Sequence, residues 1–212
     1  GSEMCIRDRY INSTMSVEIP IYLGDSTYVP EKIYRGGIET TLYEFFTDVI
    51  EYDNKIRFCL PNSLIKNEKF FSIMEVLEDY IIGKNEKKAL NYLWDKIVEF
   101  EGTISEEVKE DTKDLIAKLL DLEIKGLNSI WLEIFANYLR ASNIGQFDLV
   151  AGNPPWVSWN VLPEVYRNKV KNQLSESGIF SNDTNTGGVN LNICALIAYR
   201  ASISYCKEGG LV

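Results

Sequence analysis

The chain has 212 residues, 45% hydrophobic and 25% charged, and its 31 acidic residues outnumber its 22 basic ones to give a formal net charge of −9. That length and balance predict a globular protein with one substantial core or two small ones. A membrane-spanning helix is excluded, because no apolar run approaches the roughly 20 residues that cross a bilayer. Without a basic-then-apolar leader, we expect a cytoplasmic protein.

The chain contains no histidine, and its four cysteines lie far apart, at Cys5, Cys59, Cys194 and Cys206. Zinc sites need closely spaced cysteine and histidine, and Cys-His and Ser-His-Asp catalysis both need an imidazole. We therefore expect no metal site and neither kind of catalysis. The cysteines are interpreted as reduced structural thiols.

The segment before residue 67 is predicted to be mainly strand, after a leader at residues 1–10 that is an artefact or disordered. Residues 18–23 form a strand candidate followed by Asp25, a residue type favoured in Asx turns. Residues 43–50 and 55–60 are rich in strand formers, and the Asp-Asn chemistry between them predicts a hairpin. Asn62-Ser63 is placed to cap the helix that follows.

Residues 67–142 are predicted to form a helical insertion between two parts of a sheet. Ser105 followed by Glu107 is typical of a helix start. Apolar side chains recur at helical spacing in four stretches, residues 67–83, 86–101, 105–124 and 127–141. The last stretch leads through Gly145 into a strand, and this succession is typical of a parallel sheet, so the predicted fold class is α/β.

Residues 147–151 are predicted to be a buried strand that stops abruptly at a glycine and two prolines. Proline lacks an N–H group and restricts the residue before it to extended backbone. The tetrapeptide that follows should therefore project stiffly from the carboxyl end of the strand, where open α/β sheets bind ligands. We name this tetrapeptide, Asn153, Pro154, Pro155 and Trp156, the NPPW motif.

The side chains of the NPPW motif suit one reaction. The exocyclic amine of adenine is a poor nucleophile because its lone pair is delocalised into the ring, and it must become tetrahedral to attack a methyl sulfonium. The side-chain oxygen of Asn153 and the carbonyl of Pro154 can each accept one N–H of the amine and turn its lone pair toward the methyl donor. Trp156 supplies an aromatic face on which an extruded base stacks.

A strand ending in the NPPW motif resembles the catalytic segment of S-adenosylmethionine-dependent amino-methyltransferases. Together with Trp159, Leu162-Pro163 and Tyr166-Arg167, it is similar to the N6-adenine DNA methyltransferases of large restriction-modification and phage-defence proteins. The resemblance implies S-adenosylmethionine as cofactor and all four motif residues as catalytic. It also implies a partial Rossmann-like methyltransferase sheet with helices and a helical insertion, whose sheet parts lie in residues 11–66 and 143–212.

In this family, Asp25 would accept a hydrogen bond from the adenine amine of the methyl donor. The glycine-rich loop that wraps the donor's methionine, and the acidic strand end that holds its ribose, should precede Asp25, and neither is in this sequence. Gly36-Gly37 comes too late to supply that loop. We therefore expect a fragment that is inactive on its own.

A helix is predicted at residues 163–177. It carries a basic cluster, Arg167, Lys169 and Lys171, that could contact DNA phosphate. Because the net charge disfavours DNA binding, double-stranded DNA is expected to be bound through parts of a longer protein that are missing here. A further helix is predicted at residues 189–206, and Gly209-Gly210 predicts a turn into a strand that Val212 cuts off.

Two alternatives stay open. An NPP motif with an aromatic residue also serves methylation of a protein glutamine or of guanine N2 in RNA. The acidic charge and the absent donor loop instead favour a catalytically inactive scaffold module.

Overall fold

The computed structural model of the chain describes residues 21–22, 24–46, 55–126, 131–173 and 192–212. The strands are β1 Glu31–Arg35, β2 Ile38–Phe46, β3 Lys55–Pro61, β4 Phe147–Leu149 and β5 Cys206–Leu211. The helices are α1 Asn62–Lys66, α2 Phe70–Ile82, α3 Glu86–Glu101, α4 Glu106–Ile124, α5 Trp131–Ala141, α6 Glu164–Gln173 and α7 Ile193–Tyr205, with a 3-10 helix at Trp159–Val161.

The predicted leader lies outside the described residues, as does most of the strand predicted at residues 18–23. Ile21 and Tyr22 are described, and they are not in a strand. The predicted division of the chain into catalytic parts and an insertion stays a prediction.

The first sheet has three antiparallel strands in the order β1, β2, β3. The predicted hairpin is confirmed, because β2 pairs with β3 out to Phe46 and Lys55, while the connection between them lies outside the described residues. The sequence prediction missed β1. It joins β2 through a two-residue turn at Gly36 and Gly37, whose φ angles of 56° and 82° match the twist of paired strands.

The predicted helices of residues 67–142 are present as α2 to α5, and they share one hydrophobic core with the three-stranded sheet. α4 packs on β3 and α5 on β2, while α2 contacts α3, α4 and α5. The start of α4 is as predicted, since the Val108 N–H donates to the Ser105 hydroxyl at 3.2 Å. Fully buried side chains from both layers fill the core, including Phe58, Leu60, Phe70, Leu77, Leu93, Leu115 and Phe135.

The predicted capping role of Asn62 is wrong. Asn62 lies inside α1, which has Pro61 at its N-cap position, and its buried side-chain oxygen accepts from the Thr41 hydroxyl at 2.6 Å. Asn143, which follows α5, donates to the same hydroxyl at 2.9 Å. Because buried polar groups need partners, these bonds tie the chain leaving α5 to β2 and direct it toward β4.

β4 and β5 form a separate two-stranded parallel sheet, so the mixed α/β class is confirmed. The predicted burial of the first of these strands is wrong. Phe147 is 43% exposed and Leu149 65%, because β5 is the only strand neighbour of β4 among the described residues. Gly209 and Gly210 lie inside β5 rather than in a turn before it. None of the described helices combines the length and apolarity of a membrane span.

A buried carboxylate joins the sheet to α4. Asp111, whose side chain is 6% exposed, accepts from Arg35 at 2.7 Å and 2.9 Å and from Arg57 at 3.1 Å. The hydrogen bond with Asp111 is the main reason that the pKa of Arg35 is raised. A buried charge is tolerated only when paired in this way, so Asp111 fixes α4 against β1 and β3.

Asp111→Ala should lower the free energy of unfolding by about 2–3 kcal/mol, because it leaves Arg35 without its carboxylate and Arg57 with only Glu44, at 3.7 Å. The matched control is Asp121→Ala, which removes an exposed pair with Lys125 one turn away and should cost less than about 1 kcal/mol. Urea denaturation followed by circular dichroism measures both. Equal losses would contradict a structural role for the Asp111 cluster.

Candidate functional site

The NPPW motif follows the carboxyl end of β4 and belongs to no helix or strand. The Val150 N–H donates to the Leu211 carbonyl at 2.8 Å, so the pairing with β5 continues just beyond β4. Asn153 is exposed, Pro154 is half-buried, and the indole of Trp156 is 79% exposed. The motif is therefore accessible to a ligand, while Trp159, three residues later, is the tryptophan that anchors the segment in the core.

Asp25 closes an Asx turn, as its residue type predicted. Its Oδ1 atom accepts from the N–H groups of Thr27 at 2.9 Å and Tyr28 at 3.1 Å, and from the Thr27 hydroxyl at 2.8 Å. These bonds fix the carboxylate at a defined position on the chain ahead of β1. The second carboxylate oxygen, Oδ2, takes no part in the turn.

Two helices that follow the NPPW motif hold the Asp25 turn. The Tyr166 hydroxyl, on α6, donates to the Asp25 carboxylate, 2.8 Å from Oδ1 and 2.9 Å from Oδ2, and it also contacts the Thr27 hydroxyl. Arg200, buried on α7, donates through Nε to the Thr27 carbonyl at 3.3 Å. The turn is thereby fixed against the helices that flank the motif.

These contacts border an open cavity of about 600 Å³ on the surface. Asp25 and Tyr166 bring polar groups to it, and the second proline of the NPPW motif, Pro155, forms part of its apolar wall. Its other lining residues are Gly24, Ser26, Thr27, Tyr138, Leu162, Pro163, Ile193 and Ile197. An apolar cavity with a few convergent polar groups is typical of small-molecule sites.

The structure brings only some of the predicted site residues together. Asp25 and Pro155 share the cavity, whereas Asn153 and Trp156 do not line it. On α6, Arg167 is half-buried, with its Nε atom unpaired among the described residues, and Lys171 is exposed. The side chain of Lys169 lies outside the described residues.

Burial keeps the phenols around the cavity protonated. It is the main reason that the pKa of Tyr166 is raised; the hydrogen bond with Thr27 lowers that pKa, and the charge of Asp25 raises it again. Burial and then the charge of Asp25 raise the pKa of Tyr138, which also lines the cavity. Tyr166 therefore stays a hydrogen-bond donor to the carboxylate at neutral pH.

Cys59 is a buried structural thiol. Burial raises the pKa of Cys59 to about 11, so its thiolate is scarce at neutral pH. Cys59, Cys194 and Cys206 are free thiols. No group of three acidic, cysteine or histidine side chains within the described ranges is arranged to hold a metal ion.

Tyr166→Phe should lower the free energy of unfolding by about 1–2 kcal/mol, because it removes the donor to a partly buried carboxylate. Tyr34→Phe is the control, since Tyr34 is 73% exposed and its change should stay within about 0.5 kcal/mol. Chemical denaturation at neutral pH measures both. Matching values for the two variants would contradict the proposed tie between α6 and the turn.

Stability should fall above about pH 10, the pKa of tyrosine in the unfolded chain. Tyr28, Tyr43 and Tyr166 have raised pKa values when folded, so their contribution is complete below that pH and is lost as pH rises toward the folded values. Above that pH, the free energy of unfolding should fall less steeply with pH in Tyr166→Phe than in Tyr34→Phe. The difference in slope should be at most about 1.4 kcal/mol per pH unit. Denaturation at stepped pH tests this, and identical slopes would contradict it.

Comparison of the chain with protein-family models, with curated proteins and with solved structures finds no match. Functional assignment therefore depends on the chemistry of the residues and on their geometry. Two features carry it, the cavity between Asp25 and Pro155 and the exposed NPPW motif beside it.

Proposed function

We propose that this chain carries the catalytic corner of an S-adenosylmethionine-dependent DNA methyltransferase that modifies the N6 amine of adenine. The fold proposed for it is a Rossmann-like sheet in which β4 and β5 are neighbouring parallel strands. The observation that carries the proposal is the shared cavity, which joins a fixed carboxylate to the second proline of an exposed NPPW motif.

The cavity suits the adenosine end of the methyl donor. Pro155, Leu162 and Ile193 offer apolar surface to the faces of a purine ring. Tyr166 is the one donor to Asp25 Oδ2 among the described residues, so lone pairs on that oxygen remain for an exocyclic amine. A carboxylate also favours a donor that carries the positive charge of a sulfonium.

The NPPW motif suits the base that receives the methyl group. Trp156 can stack on an extruded adenine, while Asn153 and the Pro154 carbonyl accept its two N–H groups. When bound, S-adenosylmethionine would supply a methyl group whose bond to sulfur breaks as the bond to the amine nitrogen forms, leaving a neutral thioether. Asn153 and the Pro154 carbonyl would hold the amine through this change, and the methylated amine would release one proton to water.

The described residues offer few cations for binding DNA. Arg167 and Lys171 lie four residues apart on one helix and so project from one side of it, next to the motif. Two cations are few for a duplex, and the net charge is −9. We therefore propose that other parts of a longer cytoplasmic protein bind the DNA and the methionine end of the donor, and that these 212 residues alone transfer no methyl group.

Two substitutions should separate donor binding from methyl transfer. In the natural protein that contains this chain, Asn153→Ala should abolish transfer to DNA and leave the donor Kd within about twofold, because the asparagine contacts only the acceptor base. Asp25→Asn should raise the donor Kd roughly tenfold, since it replaces a charged acceptor by a neutral one. Calorimetry with S-adenosylmethionine measures binding, and protection of DNA from a methylation-sensitive nuclease measures transfer.

Asn91→Ala is the matched control, because Asn91 is exposed on α3 and should change neither quantity. Transfer that survives in Asn153→Ala would contradict the catalytic role of the motif. Methyl transfer to RNA or to a protein glutamine, but not to DNA, would favour the guanine-N2 or protein-glutamine methyltransferase alternative. If neither the natural protein nor any of the three variants binds S-adenosylmethionine, an inactive scaffold would be favoured.

A further inference from the structure

A second cavity, of about 480 Å³, lies in the groove between α2 and α5. Its floor is apolar and buried, and its rim is acidic. The floor includes Met74, Leu132 and Ala136, and the rim carries Glu75, Glu78 and Glu133. We call it the acidic groove.

Within the described ranges, no lysine or arginine forms an ion pair with the carboxylates of the acidic groove, Glu75, Glu78 and Glu133. Burial, followed by the charge of Glu133, raises the pKa of Glu78. Four acidic side chains elsewhere on the helices have such partners, in the pairs Glu99–Lys96, Glu106–Lys109, Asp121–Lys125 and Asp111–Arg35. The groove therefore concentrates negative charge that the described part of the chain leaves unneutralised.

We propose that the acidic groove binds a lysine- or arginine-bearing α-helix of a partner protein. Its α2 wall spans two helical turns, about 10 Å, which matches two turns of a helix laid into it. Lysine and arginine side chains can lay their methylene stems on the partly buried ring of Phe71 in the groove and place their charges at the rim. Double-stranded DNA is repelled by the same carboxylates.

This interaction surface is separate from the cavity at Asp25. α5 forms a wall of both, since Ala136 lines the groove and Tyr138 lines the cavity. The groove needs neither S-adenosylmethionine nor DNA. Peptide binding at the groove is therefore independent of whether the protein is a methyltransferase.

The probe is a synthetic amphipathic helix of about 15 residues with leucine and alanine on one face and lysines on both flanks. A second peptide has glutamate in place of each lysine. Fluorescence anisotropy with the full 212-residue chain should detect binding of the lysine peptide alone. Amide chemical-shift changes should map to α2 and α5. Binding of both peptides, of neither, or shifts confined to other elements would overturn the proposal.

The groove variant combines Glu75→Gln, Glu78→Gln and Glu133→Gln. The control variant makes the same change in net charge with Glu68→Gln, Glu110→Gln and Asp114→Asn, which are exposed residues outside the groove. The groove variant should raise the peptide Kd about tenfold or more, and the control by less than about twofold.

The groove variant should keep its melting temperature or raise it, since it removes like-charge repulsion at the helix surface and glutamine suits helices. An equal loss of affinity in the two variants would assign the binding to net charge alone and overturn the proposal. Displacement of the peptide by spermine at equal total positive charge would also overturn the proposal, because it would show that the groove binds a small polycation rather than a helix.

Discussion

The hydrogen bonds that Asp25 accepts decide the geometry of the candidate site. The carboxylate lies far from the NPPW motif along the chain, and the Tyr166 hydroxyl on α6 reaches it from just beyond the motif. A partly buried carboxylate without donors would be costly, so the turn and the helix stabilise each other. The cavity between Asp25 and Pro155 is the space that this contact leaves open. Arg200 adds a bond from α7, and the turn is thereby fixed from two directions.

Local signals predicted most of the helices and the absence of helix in the NPPW motif. The apolar periodicity of α3 buries Leu93 and Ile97, and Ser105 caps α4 because a hydroxyl there meets an unpaired N–H. The two prolines of the motif exclude a helix wherever the chain folds. In each case a few neighbouring residues contain the physical cause, so sequence alone was sufficient.

Contacts between distant segments could not be predicted in this way. Asparagine is a residue type favoured as a helix N-cap, but the side-chain oxygen of Asn62 instead accepts a hydrogen bond from the buried Thr41 hydroxyl on β2. Tyr138 and Ile193 line the cavity only because α5 and α7 are brought to the Asp25 turn by packing. The apolar sequence of β4 suggested burial, yet Leu149 is largely exposed, because burial depends on which elements cover a strand.

The choice of tyrosine beside Asp25 has a chemical consequence. A lysine in the same place would neutralise the carboxylate, whereas a phenol donates a hydrogen bond and leaves the negative charge in place. Burial keeps the Tyr166 hydroxyl protonated, so this arrangement holds at neutral pH. Asp25 forms no ion pair with a described residue. The cavity can therefore attract a cationic ligand and still orient its N–H groups, a combination that a sulfonium-bearing nucleoside requires and that a neutral pocket would not supply.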